Sequence, residues 1–403
     1  MRIGVDVCCW SNRRGFGRFT RELMKALAAI DGDNEYFFFA DRETASAIEV
    51  DGRVNIVVAP TRVSPTRAAS AQGRRSLGDL WAMARTVRKT ELDLFFFPAV
   101  YSYFPVINRN VKIILTIHDV IAEQYPGLIF PDRRYMLFWK MKVFLARRQA
   151  HLVLTVSEHS RRQIVDHFKM PESRVLAITE GPEKTFRVLH CGGEMNDTLH
   201  RYRLDPGKRM ILYVGGISPH KNLSALVDAF FALSKKPGYS DVRLLLVGDL
   251  QGDSFHTNHA EVAERISALG LEDKVMFTGF VPDQDLVVLY NAATFLVLPS
   301  FQEGFGLPAV EAMACGTPVA AAGAGSLPEV IGNAGRFFDP HSRAEMLRVF
   351  EKILSDDTLR DELSRLAVIR ARQYSWEKAA EKTRLIFNAL AHGDGYRKRR
   401  TSS

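Results

Sequence analysis

Cysteine is scarce in this chain of 403 residues, which has only Cys8, Cys9, Cys191 and Cys315. Adjacent residues of a strand point to opposite faces, and none of the four stands at a zinc-ligand spacing. A disulfide scaffold, a zinc module and thiol catalysis are therefore set aside, and the thiols are expected to be reduced and mostly buried. No apolar run reaches the roughly 18–20 residues that a membrane-spanning helix needs. The opening MRIGVDVCCW passes straight into a strand-like pattern without the ordered regions of a secretory leader, so a cytoplasmic protein is expected. No internal repeat of solenoid length occurs. No nucleic-acid-binding module accompanies the basic charge, so no nucleic-acid partner is expected. The aspartates Asp119, Asp249 and Asp253 are scattered rather than grouped as a metal motif, so no metal is expected.

What is present is an ordinary globular composition on a chain too long for one hydrophobic core, which predicts two domains of about 150–200 residues each. The net charge of +8 is concentrated. Residues 61–90 hold seven Lys/Arg against Asp79 alone, residues 131–151 hold six against Asp132, and the tail 393–403 holds four against Asp394. Such segments suit an anionic membrane surface or a lipid diphosphate, or are simply solvated; for the tail the second reading is preferred.

Short runs rich in Val, Ile and Phe recur between helix-length amphipathic stretches. In the first half they are Ile3–Val7, Tyr36–Phe39, Asn55–Val58, Leu94–Phe97, Lys112–Ile117, Leu152–Val156 and, more weakly, Val175–Ile178. In the second half they are Met210–Val214, Val242–Val247, Lys274–Phe277, Thr294–Leu298 and Pro318–Ala322. Continuous apolar runs predict parallel strands buried on both faces, hence two doubly wound α/β domains. Domain boundaries are placed at 1–185 and 209–374, with an interdomain connection at 186–208. A helix capped by Ser375 is placed at 375–392, followed by a basic tail at 393–403 that is expected to be disordered.

Two segments carry chemistry. Ser300–Cys315, SFQEGFGLPAVEAMAC, follows the strand TFLVLP. A glycine-containing loop that opens a helix near Pro308 presents free backbone N–H groups to an anion. Glu303 in the loop and Glu311 one turn into the helix can accept hydrogen bonds from the hydroxyls of two sugars. On residues alone, Glu311 is equally a dipole-favoured helix residue and Glu303 a loop charge. The second segment, YVGGISPHKNLSALVDAF at 213–230, is again a strand, a glycine turn with Gly216, and a helix. His220, Lys221 and Asn222 fall at its entrance, where a diphosphate fits against a lysine and amides; alternatively Asn222 is the helix cap and Lys221 an exposed charge.

Taken together, these stretches resemble glycosyltransferase family 4, and the likeness runs over nearly the whole chain. The resemblance implies a GT-B fold, two Rossmann-like domains facing a central cleft, with acceptor bound by the first and donor by the second. It implies that Glu303, with the backbone of Gly304, Phe305, Gly306 and Leu307, holds donor-sugar hydroxyls, that Glu311 holds the ribose, and that Lys221 grips the phosphates. The family commonly has an arginine where this chain has His220, and no arginine occurs in 213–222; a histidine there makes donor binding more dependent on pH. Arg13–Thr20 (RRGFGRFT) resembles the family's glycine loop, with Gly15 and Gly17 the positions that meet the diphosphate. His118, ending KIILTIHD, matches a histidine close to the donor sugar. Phe280 and Val281, in TGFVPD, match the segment whose main chain recognises the base. Val156–Ser160 and Ser326–Pro340 also match, the first read as a helix cap and the second as packing loops.

The activity so implied is transfer of a hexose, mannosyl or glucosyl in type, from a UDP- or GDP-linked donor to a glycan or polyprenyl-linked acceptor. Transfer proceeds with retention, without metal or other cofactor, in cell-surface polysaccharide assembly at the inner face of the membrane. A nucleotide-sugar 2-epimerase and a catalytically silent sugar-nucleotide scaffold share the architecture and stand as alternatives. YMLFWKMKVFLARR, 135–148, is read either as a helix packed on the sheet or as one resting on a membrane surface.

Overall fold

The computed structural model describes residues 1–50, 53–62, 76–108, 110–130, 132–190, 193–249 and 257–391, with only the backbone at 193 and 194. Cys191, Asp253, Arg74, Arg75 and the basic tail lie outside the described residues.

Two compact units result. The first comprises residues 1–120, 132–180 and 376–391; the second comprises residues 121–130 and 181–375. The first is built on seven parallel strands: β1 (Arg2–Asp6), β2 (Glu35–Ala40), β3 (Val54–Val58), β4 (Leu94–Phe97), β5 (Lys112–Thr116), β6 (Leu152–Thr155) and β7 (Val175–Ala177). Their order is β3-β2-β1-β4-β5-β6-β7, and every pairing is parallel. The interior strands are buried on both faces, as their apolar runs require. Strand β3, at the edge of the sheet among the described residues, departs from that expectation: Ile56 and Val58, two residues apart and so on one face, are exposed.

Helix α1 (Gly15–Ile30) buries Phe16, Phe19, Leu23, Met24 and Leu27, a stripe at helical spacing. On the other face of the sheet lie α2 (Leu77–Arg88), α3 (Arg133–Gln149) and α4 (Glu158–Phe168). Met83, Ala84 and Val87 of α2, Val143 and Ala146 of α3, and Ile164 of α4 share one core with Phe95, Phe97, Ile113 and Leu115. Each of the three begins on a side-chain cap: Ser76, Asp132 and Ser157 accept from backbone N–H groups of the first turn. Ser157 is thus the cap that the sequence suggests.

The second unit has α5 (Gly193–Arg201), β8 (Met210–Val214), α6 (Leu223–Ser234), β9 (Arg243–Val247), α7 (His259–Ala268) and β10 (Val275–Gly279). It continues with α8 (Asp283–Ala292), β11 (Phe295–Leu298), α9 (Leu307–Ala314), β12 (Val319–Ala322), β13 (Gly335–Phe338), α10 (Arg343–Ser355) and α11 (Asp357–Ala371). Its six strands run β10-β9-β8-β11-β12-β13, all parallel. Residues 186–208, placed as an interdomain connection from sequence, lie inside this unit. Arg201 and Tyr202, at the end of α5, both bond to Asp285 of α8 (2.8 and 2.9 Å), a docking that local periodicity does not encode.

The last helix, α12 (Trp376–Ala391), belongs to the first unit and packs along α1. Trp376 meets Phe19 edge-on with centroids 6.0 Å apart, and Phe387 meets Phe96 at 5.3 Å.

Candidate functional site

In each sheet the strand order reverses direction at one seam, between β1 and β4 in the first and between β8 and β11 in the second. Ligands of doubly wound folds bind beyond the carboxyl ends of the strands at such seams. The two segments singled out from sequence follow β8 and β11. Because these strands are hydrogen-bonded neighbours (Phe295 beside Ile211, Leu296 beside Leu212), their loops emerge side by side.

There Lys221 Nζ donates to both carboxylate oxygens of Glu303, at 2.7 and 2.8 Å. Ser300 Oγ donates to the same carboxylate at 2.6 Å. Both charged side chains are largely buried, with exposures of 18% and 13%. Neither is the solvated charge that the alternative reading supposed. The main chain ties the loops too, since Phe301 N–H donates to the carbonyl of His220 at 3.0 Å. His220 is half-buried beside the pair.

Asn222 precedes α6 in a left-handed conformation (φ 59°), and its side chain makes no cap hydrogen bond. Its amide instead donates to the carbonyls of Pro299 (3.1 Å) and Pro340 (2.8 Å). The reading of Asn222 as a helix cap is therefore corrected: a φ near +60° aims the side chain away from the helix and across to the neighbouring loops.

The loop after β11 ends at Gly306, whose φ of 92° suits glycine and whose added Cβ would lie 2.7 Å from Leu327. Ser326 fastens the loop by donating from Oγ to the carbonyls of Glu303 (3.1 Å) and Phe305 (2.9 Å). Phe305 and Leu307 are buried, and the Phe305 ring meets Tyr374 edge-on at 5.6 Å. Gly304 therefore sits between two anchored neighbours. Leu307 and Pro308 open α9, where proline brings no N–H and the Ala309 N–H donates to the Gly306 carbonyl at 2.9 Å. Glu311, one turn in, is buried, and Tyr290 Oη of α8 donates to its Oε2 at 2.9 Å. Cys315, closing α9, is a buried free thiol that burial, and then the Glu311 charge, push up to about 12.

On the β8 side, Tyr213 is fully buried and donates to the carbonyl of Gly216 at 2.7 Å, fixing the turn. At the far end of the sheet, Gly279 ends β10 at a register shift, and Val281 is buried while the Phe280 side chain is exposed.

In the first unit, Gly15 and Gly17 open α1 after β1. The two glycines differ physically. A Cβ at Gly17 would lie 2.1 Å from the carbonyl oxygen of Asn12, whereas one at Gly15 meets nothing within 4 Å. His118 stands beyond β5, with Nε2 3.1 Å from the carbonyl of Pro98, so that nitrogen carries the proton. Its Nδ1 lies 3.8 Å from Glu180, and Phe19 packs edge-on against the ring at 4.8 Å. Glu180 has no motif in the sequence and escaped the reading above. It is buried, and burial pushes its carboxyl up while His118 and then Arg18 pull it back. Among the described residues no three His, Cys, Asp or Glu side chains group as a metal site would need.

Two family models match the chain: residues 13–181 match the one described as Glycosyltransferase Family 4, and residues 196–368 the one described as Glycosyl transferases group 1. The O-antigen chain mannosyltransferase B of Escherichia coli is 29% identical over 382 residues, covering 92% of this chain and 94% of that protein. The serotype-specific mannosyltransferase WbdA of Escherichia coli is 33% identical over 279 residues, which are 67% of this chain but only 32% of that longer protein. Among solved structures, Anabaena Alr3699/HepE in complex with UDP-glucose superposes with a TM-score of 0.73 at 20% identity, over 97% of this chain and 100% of the other. That likeness fixes the fold as GT-B.

Proposed function

Because the chain belongs to glycosyltransferase family 4 and is a glycosyltransferase, we propose that it transfers a hexose from a nucleotide-diphosphate sugar with retention of anomeric configuration. The observation that carries this reading is the Lys221–Glu303 ion pair at the seam of the second sheet. A cation for the leaving diphosphate and an acceptor for sugar hydroxyls are thereby held in contact. The likeness to enzymes named as mannosyltransferases favours a mannosyl donor over a glucosyl one. The same likeness makes O-antigen or related polysaccharide assembly the proposed pathway.

In the mechanism we favour, the acceptor hydroxyl attacks the anomeric carbon on the face from which the diphosphate departs. A carbon–oxygen bond to the acceptor forms as the bond to the phosphate oxygen breaks, and that oxygen takes the acceptor's proton. Catalysis then rests on positioning and on neutralising the leaving group. We assign the phosphates to Lys221, His220, the Gly216 turn, the N–H groups opening α9, and the Gly15–Gly17 loop. We assign donor-sugar hydroxyls to Glu303, the 304–307 backbone and His118, the ribose to Glu311, and the base to the main chain of Phe280 and Val281. The cation at the phosphates is Lys221 rather than a metal. The first unit is proposed to take the acceptor, a glycan or polyprenyl-linked sugar, and the enzyme to work in the cytoplasm at the inner membrane face.

The test is transfer from GDP- and UDP-linked hexoses to a lipid-linked acceptor, with the product anomer read by NMR and EDTA added in parallel. Retention with EDTA-resistant turnover supports the proposal. An inverted product, or turnover abolished by EDTA on folded protein, overturns the corresponding part. Release of a free epimer without acceptor would replace transfer by epimerisation.

A further inference from the structure

Helix α3 is apolar on the side turned away from its own core. Val143 and Ala146 are buried against the sheet, and Trp139 packs partly beside them. Leu137, Phe138, Met141, Phe144 and Leu145 are all exposed, Leu137 and Phe138 by about two-thirds (68% and 65%). At about 100° per residue these five fall within one stripe roughly 120° wide, so the helix carries two apolar faces, of which only one has a partner among the described residues. The helix holds no Asp or Glu. Of its six cations, Lys142 and Arg147 turn to the protein, over Trp139 and Phe168. Arg134 and Arg148 are exposed near the centre line of the apolar stripe, one at each end, with Arg133 and Lys140 exposed along its flank.

Helix α2 repeats the pattern. Leu77 and Trp81, 80% and 60% exposed, lie one turn apart, and Arg85 and Arg88 continue the same outward side. Both helices bury their inner faces in the same core, on the same side of the first sheet, so their outer faces belong to one side of that unit.

We propose that the outward faces of α3 and α2 dock this protein onto an anionic lipid bilayer. Long apolar and aromatic side chains interleaved with Arg and Lys are what an interfacial helix requires: the rings and methyl groups enter the acyl boundary while the cations meet headgroup phosphates. Charge complementarity decides against a second copy of the chain, which would set Arg134, Arg148 and Lys140 against like charges. The proposal deepens the membrane localisation given above and is independent of the donor chemistry.

The experiment is co-sedimentation of the full chain with vesicles of phosphatidylcholine alone or mixed with phosphatidylglycerol. It compares the wild type with the paired variants Phe138→Ser/Phe144→Ser and Arg134→Glu/Arg148→Glu. All four side chains are exposed, so the variants should fold; the thermal shift produced by a nucleoside diphosphate checks this and reads the donor site separately. Expected is binding to the anionic vesicles that weakens with salt and falls about tenfold or more in each variant. Absence of wild-type binding at low ionic strength, or binding by both variants as strong as that of the wild type, overturns the proposal while leaving the transferase reading intact. A wild type that sediments as a dimer and variants that sediment as monomers would assign the face to a second copy instead. Loss of the nucleotide shift in the wild type would count against the donor site and not against the membrane face.

Discussion

Lys221 and Glu303 come from loops 82 residues apart and meet in a two-pronged ion pair of 2.7 and 2.8 Å. Each is the other's main compensation for leaving water. Removing one partner therefore strands a buried charge, whereas removing both does not.

For that pair, Lys221→Met should lower kcat about 10²–10³-fold, the loss typical of one donor to a developing negative charge. It should also lower the unfolding temperature. The double variant Lys221→Met/Glu303→Gln should regain stability and stay inactive. Calorimetry and single-turnover kinetics separate the two effects; a double variant as unstable as the single one would mean that the pair does not compensate internally.

Variants at Glu311 and Tyr290 tell holding the fold apart from holding a ligand. Tyr290→Phe leaves Glu311 without one donor in a buried site and should cost about 1–3 kcal/mol of stability. Glu311→Ala should weaken nucleotide diphosphate binding, read as a reduced thermal shift. Full nucleotide binding by Glu311→Ala would reduce the carboxylate to a structural role.

The two glycines of the first loop should behave differently. Gly17→Ala forces the Asn12 carbonyl to move and should destabilise the protein. Gly15→Ala has open space at the head of a helix and should leave stability unchanged or raise it by about 0.4–1 kcal/mol. If the backbone at Gly15 approaches the diphosphate, that well-folded variant should nonetheless lose transfer. Unimpaired kcat/KM in Gly15→Ala would remove the loop from the donor site.

Glu180 gives the stability curve a direction. Its folded-state carboxyl is raised above its ordinary value of 4.5, so the folded protein holds that proton more tightly than the unfolded chain does. Its contribution is present below about pH 4.5 and is lost as pH rises through the folded value. Glu180→Gln keeps the neutral shape, so its stability relative to wild type should rise with pH across that window. Parallel stability curves for the two proteins at all pH values would show that burial does not perturb the group.

Most strands were legible because parallel strands buried on both faces leave unbroken apolar runs, as in Leu94–Phe97 and Phe295–Leu298; β13, four residues within the stretch 326–340 read as packing loops, was not. The two site loops were legible because glycine and proline punctuate a strand-to-helix turn at fixed offsets. Asn222 was not: its partners, Pro299 and Pro340, lie 77 and 118 residues away, and nothing local records them. Nor was Glu180, a single carboxylate whose meaning comes from the distance to His118 rather than from any spacing in the chain. The outward stripe of α3 was visible as mixed apolar and basic residues, but which face the core takes is decided by packing alone.

The return of α12 to the first unit sets a timetable for synthesis. Phe19 and Phe96 wait for Trp376 and Phe387, which leave the ribosome roughly two hundred residues after Glu180 completes the rest of that unit. At about 5–20 residues per second the delay is on the order of 10–40 s, during which α1 and one sheet face lack their cover. A nascent chain stalled or truncated before Trp376 would therefore damage the domain made first, and would present its aromatic surface to chaperones and proteases while the second domain stood complete.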